Sequence, residues 1–177
     1  MRFLVVSDTH GEKEPLLEVM ERHHKESTRI FHCGDYCIPA VTFPEITFAK
    51  GNCDRDEEIQ EENLIEIGGL RILQVHGHRY KVKETSLKLQ YRAMELGANF
   101  VLFGHTHIPT CVMNKNILYL NPGSLLIPRF YSVPTYAVVT VSAAEDQERV
   151  RLDVDFFSLY GERQKGYGGV YYLKAIQ

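Results

Sequence analysis

Five short apolar runs in this chain each lead into a polar segment loaded with imidazole, carboxylate or amide groups. Arg2–Val6 precedes Asp8-Thr9-His10-Gly11, and Arg29–Cys33 precedes Gly34-Asp35. Ile46–Lys50 precedes Gly51-Asn52-Cys53-Asp54, Leu70–Val75 precedes His76-Gly77-His78, and Asn99–Phe103 precedes Gly104-His105-Thr106-His107. Runs of this length, rich in β-branched residues, read as strands. Ligands of open α/β sheets bind beyond the carboxyl ends of the strands. If these strands lie side by side, all five segments gather at one rim.

The rest of the chain fills in around that sheet. Leu16, Leu17, Val19 and Met20 recur at helical spacing, which predicts an amphipathic helix from Lys13 to about Lys25. Pro15 falls in its first turn, where proline is tolerated. Leu64–Ile67 and Leu70–Val75 flank Gly68-Gly69, a hairpin signal. Glu84 to Leu96 reads as a second helix, with Gly97 as its cap. Cys111–Met113 and Ile117–Leu120 bracket a turn at Asn114-Lys115-Asn116, and Thr135–Val141 pairs with Arg149–Phe157 across a polar turn. This order predicts an α/β layered fold rather than a bundle or an all-β sandwich. A length of 177 residues fits one domain over 1–177, and no repeat or linker divides it. Ser158–Gln177, rich in glycine and tyrosine, has no assigned role; an edge strand, a loose tail and a contact to another subunit all stay open.

Charge narrows the partners. The formal net charge is -3 and no long basic run occurs, which argues against extended nucleic acid. The first apolar run is short and interrupted by Ser7 and Asp8, unlike a signal peptide, and no stretch is long enough to span a bilayer. Four cysteines without a CxxC pair, in a chain that needs no disulfide staples, suit a reducing cytoplasm. They read as small buried or half-buried residues, although Cys33, Cys37 and Cys53 lie close enough to the polar segments to leave metal contact open.

The polar segments carry the chemistry. Their glycines predict sharp turns with positive φ. Asp8, His10, Asp35, Asn52, His76, His105 and His107 make seven candidate ligands, more than one tetrahedral ion needs. Imidazole with carboxylate suits zinc, manganese, iron or nickel, whereas an all-oxygen set would suit magnesium or calcium. One carboxylate with two oxygens can serve two ions. His23, His24 and His32 read as surface or core histidines. Asp54 and Asp56 read as turn caps. Asn121-Pro122-Gly123-Ser124 reads as a turn beside the site, with anion binding by its N–H groups as the alternative. Arg129 and Tyr131 are the residues nearest in type to a phosphate or ring contact, although solvation is the simpler reading. Glu57, Glu58, Glu61 and Glu62 read as a solvated face.

Asp-x-His, Gly-Asp, Gly-Asn-x-Asp, a separate His and Gly-His-x-His, in that order, resemble the calcineurin-like metallophosphoesterase superfamily. With Asn121-Pro122-Gly123-Ser124 the chain is most similar to its small bacterial YfcE-like phosphodiesterases. The resemblance implies a two-sheet β-sandwich flanked by helices, with the site at one edge. It implies one ion held by Asp8, His10, Asp35 and His107, and another by Asp35, Asn52, His76 and His105, with Asp35 as the bridge. Two ions about 3.5–4 Å apart can clamp an in-line phosphoryl displacement and acidify a bridging water. The expected reaction is hydrolysis of a small phosphodiester or phosphomonoester by direct attack of that hydroxide, without a phosphoenzyme. One departure stands out: many members carry His directly after Gly-Asn, as a leaving-group acid, and here that residue is Cys53. His78 is the candidate replacement, with orienting a neighbouring ligand or contacting phosphate as the equal alternative. The same fold also serves as a protein-interaction scaffold in the retromer subunit. All seven ligand positions are filled here, which favours the enzyme. A second copy of the chain stays open as a partner.

Overall fold

The first strand, β1 (Arg2–Val6), is buried on both faces, and the architecture follows from that. Phe3 and Val5 point into one apolar cluster, while Leu4 and Val6 point into another. A continuous apolar run is what a strand covered on both sides requires. The computed structural model describes residues 1–24, 28–130, 133–146 and 148–176, with the side chain at 28 left out.

The elements that follow are α1 (Glu14–His23), β2 (Thr28–His32), β3 (Ile46–Phe48), β4 (Glu62–Ile67), β5 (Leu70–Val75) and α2 (Leu87–Glu95). Then come β6 (Phe100–Leu102), β7 (Thr110–Asn114), β8 (Ile117–Asn121), β9 (Thr135–Ala143), β10 (Arg149–Ser158) and β11 (Gly169–Lys174). They build a six-stranded sheet in the order β11-β10-β9-β1-β2-β3 and a five-stranded sheet in the order β4-β5-β6-β8-β7. Strands β1, β2 and β3 are mutually parallel, as are β5, β6 and β8; the remaining pairings are antiparallel.

Between the sheets, Phe3, Val5, Phe31, Val139 and Leu152 of the first meet Ile72, Phe100, Leu102, Leu118 and Leu120 of the second. Each such side chain contributes roughly 1.5–3 kcal/mol on burial. The outer faces are covered by helices. Leu16 and Val19 of α1 pack on Leu4 and Val6, and Leu89 and Ala93 of α2 pack on Leu73, Val75 and Val101. The result is the two-sheet sandwich flanked by helices.

A buried amide joins the sheets at one end. Gln74 on β5 donates from Nε2 to the carbonyls of His32 (3.0 Å) and Thr47 (2.9 Å) in the other sheet. Its Oε1 accepts from Asn63 Nδ2, which also donates to the Phe48 carbonyl. A fully paired buried amide fixes the strands it joins. These strands carry Asp35, Asn52 and His76 in their exit loops.

The element boundaries depart from expectation in several places. The first helix stops at His23, and Lys25 lies outside the described residues. The second begins at Leu87 rather than Glu84, because Thr85 turns its hydroxyl onto the Leu87 N–H and delays the helix. Strand β3 ends at Phe48 and not Lys50. The β7–β8 turn uses only Lys115 and Asn116, at φ 49° and 61°, while Asn114 stays in the strand. Gly68 and Gly69, at φ 58° and 79°, form the same two-residue hairpin geometry between β4 and β5. Within 158–177, residues Gly169–Lys174 form an edge strand against β10.

Candidate metal centre

The loops leaving β1, β2, β3, β5 and β6 converge at the carboxyl ends of those strands. They bring the seven sequence-chosen residues into two adjacent groups. Asp8, His10 and His107 place one ligand atom each within 4.8 Å of one another, and so do Asp35, His76 and His105. The second group also receives Asn52, whose Oδ1 lies 3.2 Å from His76 Nε2. The groups touch: the His105 N–H donates to Asp8 Oδ2 at 3.2 Å.

The spacings match a coordination shell. His107 Nε2 is 3.1 Å from Asp8 Oδ1 and 3.4 Å from His10 Nε2. His76 Nε2 is 3.4 Å from Asp35 Oδ2 and 3.1 Å from His105 Nδ1. With metal–ligand bonds near 2.1 Å, neighbouring donors sit about 3.0 Å apart in an octahedron and about 3.4 Å in a tetrahedron. Two imidazoles are aimed from behind. His76 Nδ1 donates to the Cys33 carbonyl (2.7 Å) and His107 Nδ1 to the Ile127 carbonyl (2.6 Å). That leaves each Nε2 lone pair facing the cluster, as metal-binding histidines require. Among the described residues, Asp8 Oδ1 is buried without an aligned hydrogen bond. A bare carboxylate oxygen in that position is costly unless a cation meets it. The donor set and this orphaned oxygen fit divalent metal.

The backbone is bent to make this happen. Asp8, His10, Asp35, His105 and His107 all have φ between 46° and 67°. Each non-glycine residue held there stores about 1–3 kcal/mol, repaid by the surrounding structure. The glycines share only part of this role. Gly34 has positive φ, but Gly51 and Gly104 do not. A Cβ on Gly51 would sit 2.2 Å from Asp35 Oδ1, and one on Gly104 would sit 2.1 Å from Ser7 Oγ. Those two glycines are there to let ligand loops approach, and the ligands themselves take the left-handed turns.

Electrostatics follow the packing. Burial works against the Asp8 carboxylate, but the adjacent His107 and His76 rings and the Ser7 hydroxyl outweigh it and lower its pKa. Asp35 shows the same opposition, with His76 as the winning partner, and is likewise lowered. Burial opposes the His76 cation too, yet Asp35 and Asp8 raise its pKa. His105 is lowered to about 4, first by burial and then by His76.

Several contacts support these ligands from behind, among them the expected turn beside the site at 121–124. Asp54 accepts from three backbone N–H groups: Asp35 (2.9 Å), Gly51 (2.7 Å) and Cys37 (2.6 Å). It clasps two ligand loops together, which is more than the local cap expected. Asp56 makes the expected turn contact, accepting from Glu58 N–H two positions on, and also accepts from the distant Ala40 N–H. Asn121 donates to the Gly104 carbonyl, and Ser124 Oγ donates to the Asp8 carbonyl. Ser7 Oγ donates to Asp8 Oδ2. His32 is buried, and burial holds its pKa at about 4. Its neutral ring accepts from the Gly34 N–H and meets Thr9 Oγ1 at 3.0 Å, so this core histidine ties two ligand loops.

His78 lies at the rim, its ring centroid 5.4 Å from His76 and 6.2 Å from His105. Burial and the His76 charge lower its pKa. The acidic cluster is not uniformly solvated: Glu57 and Glu58 are exposed, but Glu61 pairs with Arg79, and Glu62 accepts from Tyr80 and Arg92. The cysteines also divide. Cys33 is buried and Cys111 half-buried, whereas Cys37 and Cys53 are exposed at the mouth of the centre. Burial and the neighbouring Asp54, Cys53 and Asp35 push the Cys37 thiol up to about 12. The Arg129 N–H donates to the His107 carbonyl, and Tyr131 lies outside the described residues. No helix among the described residues is long and apolar enough to cross a membrane.

Known proteins resemble this chain in sequence and fold. The model of the calcineurin-like phosphoesterase superfamily domain matches residues 1–144. A probable metallophosphoesterase of Bacillus subtilis, YsnB, is 38% identical over 145 residues, covering 80% of this chain and 85% of its own. The crystal structure of a conserved, predicted phosphoesterase from Streptococcus pneumoniae superposes with a TM-score of 0.86 at 30% identity, covering 97% of each chain. Zinc-complexed Vps29 from Entamoeba histolytica superposes with a TM-score of 0.70 at 18% identity over 98% of this chain and 99% of its own, a likeness of fold alone. A chain that matches this domain over its first 144 residues, on this sandwich, belongs to the calcineurin-like phosphoesterase superfamily.

Proposed function

We propose that this protein is a phosphodiesterase that hydrolyses a small phosphodiester, or a small phosphomonoester, with a pair of divalent ions. Asp8, His10, Asp35 and His107 would hold one ion, and Asp35, Asn52, His76 and His105 the other. Manganese, zinc, iron and nickel all suit these ligands. When bound, such ions neutralise phosphate charge and activate a water. The observation that carries this reading is Asp8 Oδ1, buried and without an aligned partner although His107 Nε2 is 3.1 Å away.

The chain's own groups do the positioning. The carbonyls of Cys33 and Ile127 fix the tautomers of His76 and His107. The Cys53 N–H holds Asp35 Oδ1 at 2.8 Å, which aims the shared carboxylate. Asn52 donates from Nδ2 to Cys53 Sγ at 3.2 Å, so its oxygen is the atom turned to the site. A neutral amide there leaves more positive charge for the substrate than another carboxylate would. A small substrate suits a chain of net charge -3 whose sequence has no long basic run to hold a polymer.

The attacking oxygen comes from water rather than from a side chain. With a phosphorus-chiral thiophosphodiester in isotopically labelled water, direct attack should invert the configuration at phosphorus. Net retention, the mark of two successive displacements through a phosphoenzyme, would end the direct-attack account. His78 is the proposed proton donor to the leaving group. Its lowered pKa makes the imidazolium a stronger acid and a scarcer one, so its value depends on the leaving group. His78→Ala should slow an ester with an alkyl leaving group by about 10²-fold and a nitrophenyl ester only slightly. Equal loss on both substrates would remove His78 from that role.

A scaffold role, suggested by the likeness to Vps29, makes the opposite forecast. It requires no turnover of any phosphoester by fully metallated protein.

A further inference from the structure

Cys37 and Cys53 stand at the entrance of the metal centre with exposed thiols. Backbone contacts present them side by side. The Cys37 N–H donates to Asp54 Oδ1 at 2.6 Å, and the Cys53 N–H to Asp35 Oδ1 at 2.8 Å. Both sulfurs lie within 4.8 Å of each other and of a ring nitrogen of the half-buried His10. A tetrahedral ion with bonds of about 2.3 Å to sulfur needs its two sulfurs about 3.8 Å apart. The two sulfurs, within 4.8 Å and on exposed side chains free to turn about χ1, are within reach of that spacing. Two thiolates and an imidazole select soft or borderline ions, whereas manganese and magnesium prefer oxygen.

We propose that Cys37, Cys53 and His10 form a further cation site, for a thiophilic divalent ion of the zinc or cadmium type. On binding, two S–H bonds break, two metal–sulfur bonds form and two protons leave to solvent, with no change of oxidation state. The fourth position opens to water. His10 also belongs to the Asp8–His10–His107 group, so the two sites compete for one imidazole. Where manganese supports hydrolysis, an added thiophilic ion therefore inhibits; this consequence alone rests on the proposed function.

The test is titration of the full, reduced protein with cadmium, following the ultraviolet thiolate-to-cadmium charge-transfer band and the protons released. Cadmium in the Asp/His groups gives no such band, so the signal reports the cysteines. The expected result is a band that saturates at one thiolate-bound cadmium per chain with two protons released. Cys37→Ser and Cys53→Ser should each lose most of it. No band in the wild-type protein overturns the proposal, and so does a band that survives both substitutions, since Cys33 or Cys111 would then be its source. In the manganese-supported assay, Cys37→Ser should keep wild-type turnover and need at least about tenfold more cadmium for half-inhibition. Equal sensitivity to cadmium would contradict the competition for His10. If the protein hydrolyses no phosphoester, the band still decides the site.

Discussion

Asp35→Asn should reduce metal-supplemented hydrolysis of bis-nitrophenyl phosphate by about a thousandfold, equivalent to about 4 kcal/mol of transition-state stabilisation. The proposed function makes Asp35 the one group common to both ions. Asparagine keeps the oxygen that accepts the Cys53 N–H at 2.8 Å and keeps the backbone N–H that donates to Asp54. The loops should therefore hold their shape while the charge that binds the cations is lost. Metal content measured on the same sample should fall, and the unfolding midpoint of the metal-free protein should stay close to wild type. Turnover near the wild-type rate, with metal still bound, would show that Asp35 does not serve both ions.

Asp54→Ala should be the most destabilising change at the site that touches no ion. It leaves the N–H groups of Asp35, Cys37 and Gly51 without their acceptor. Each unsatisfied donor costs about 1–3 kcal/mol, so the total comes to about 4 kcal/mol even if water reaches one of them. Against the 5–15 kcal/mol typical of a whole domain, that is a large share. Urea unfolding of the metal-free protein measures it directly. Metal affinity should drop about 10–100-fold as the Asp35 and Asn52 loops lose their common anchor. A loss of stability below about 1 kcal/mol would mean that the clasp is replaceable and Asp54 only an ordinary turn residue.

These two residues also show what was legible before the structure. Asp35 stands out because a metal demands particular side chains, and few residue types can supply imidazole or carboxylate. Six of the seven candidate ligands announced themselves in this way, Asn52 instead by its place in a Gly-Asn turn after a strand, and the fold brings all seven into two adjacent groups. Asp54 does the same work for three backbone groups, but an aspartate after glycine has a common local use in turns, so its long-range role was hidden. The carbonyls of Cys33 and Ile127 were invisible for a stronger reason: every residue carries one. The glycine reading was right in purpose and partly wrong in cause. Gly51 and Gly104 make room for Asp35 and Ser7, a tertiary contact that no local rule could reveal.

The fold divides along similar lines. Strands β1 and β6 were readable because burial on both faces demands unbroken apolar runs. The hairpin at Gly68-Gly69 was readable because few residues tolerate two consecutive positive φ values. Strand β11 was not, because an edge strand with mostly exposed side chains needs little hydrophobic pattern. The exposure of Cys37 and Cys53 was likewise missed, since cysteine is usually buried.

The central claim is that Asp8, Asp35 and the histidines cage a pair of cations. Anomalous diffraction from crystals of the protein loaded with manganese tests it most directly. Two anomalous peaks about 3.5–4 Å apart, one among Asp8, His10 and His107 and the other among Asn52, His76 and His105, with Asp35 reaching both, is the result expected. A single peak, or peaks that leave Asp35 bound to only one ion, would contradict the account.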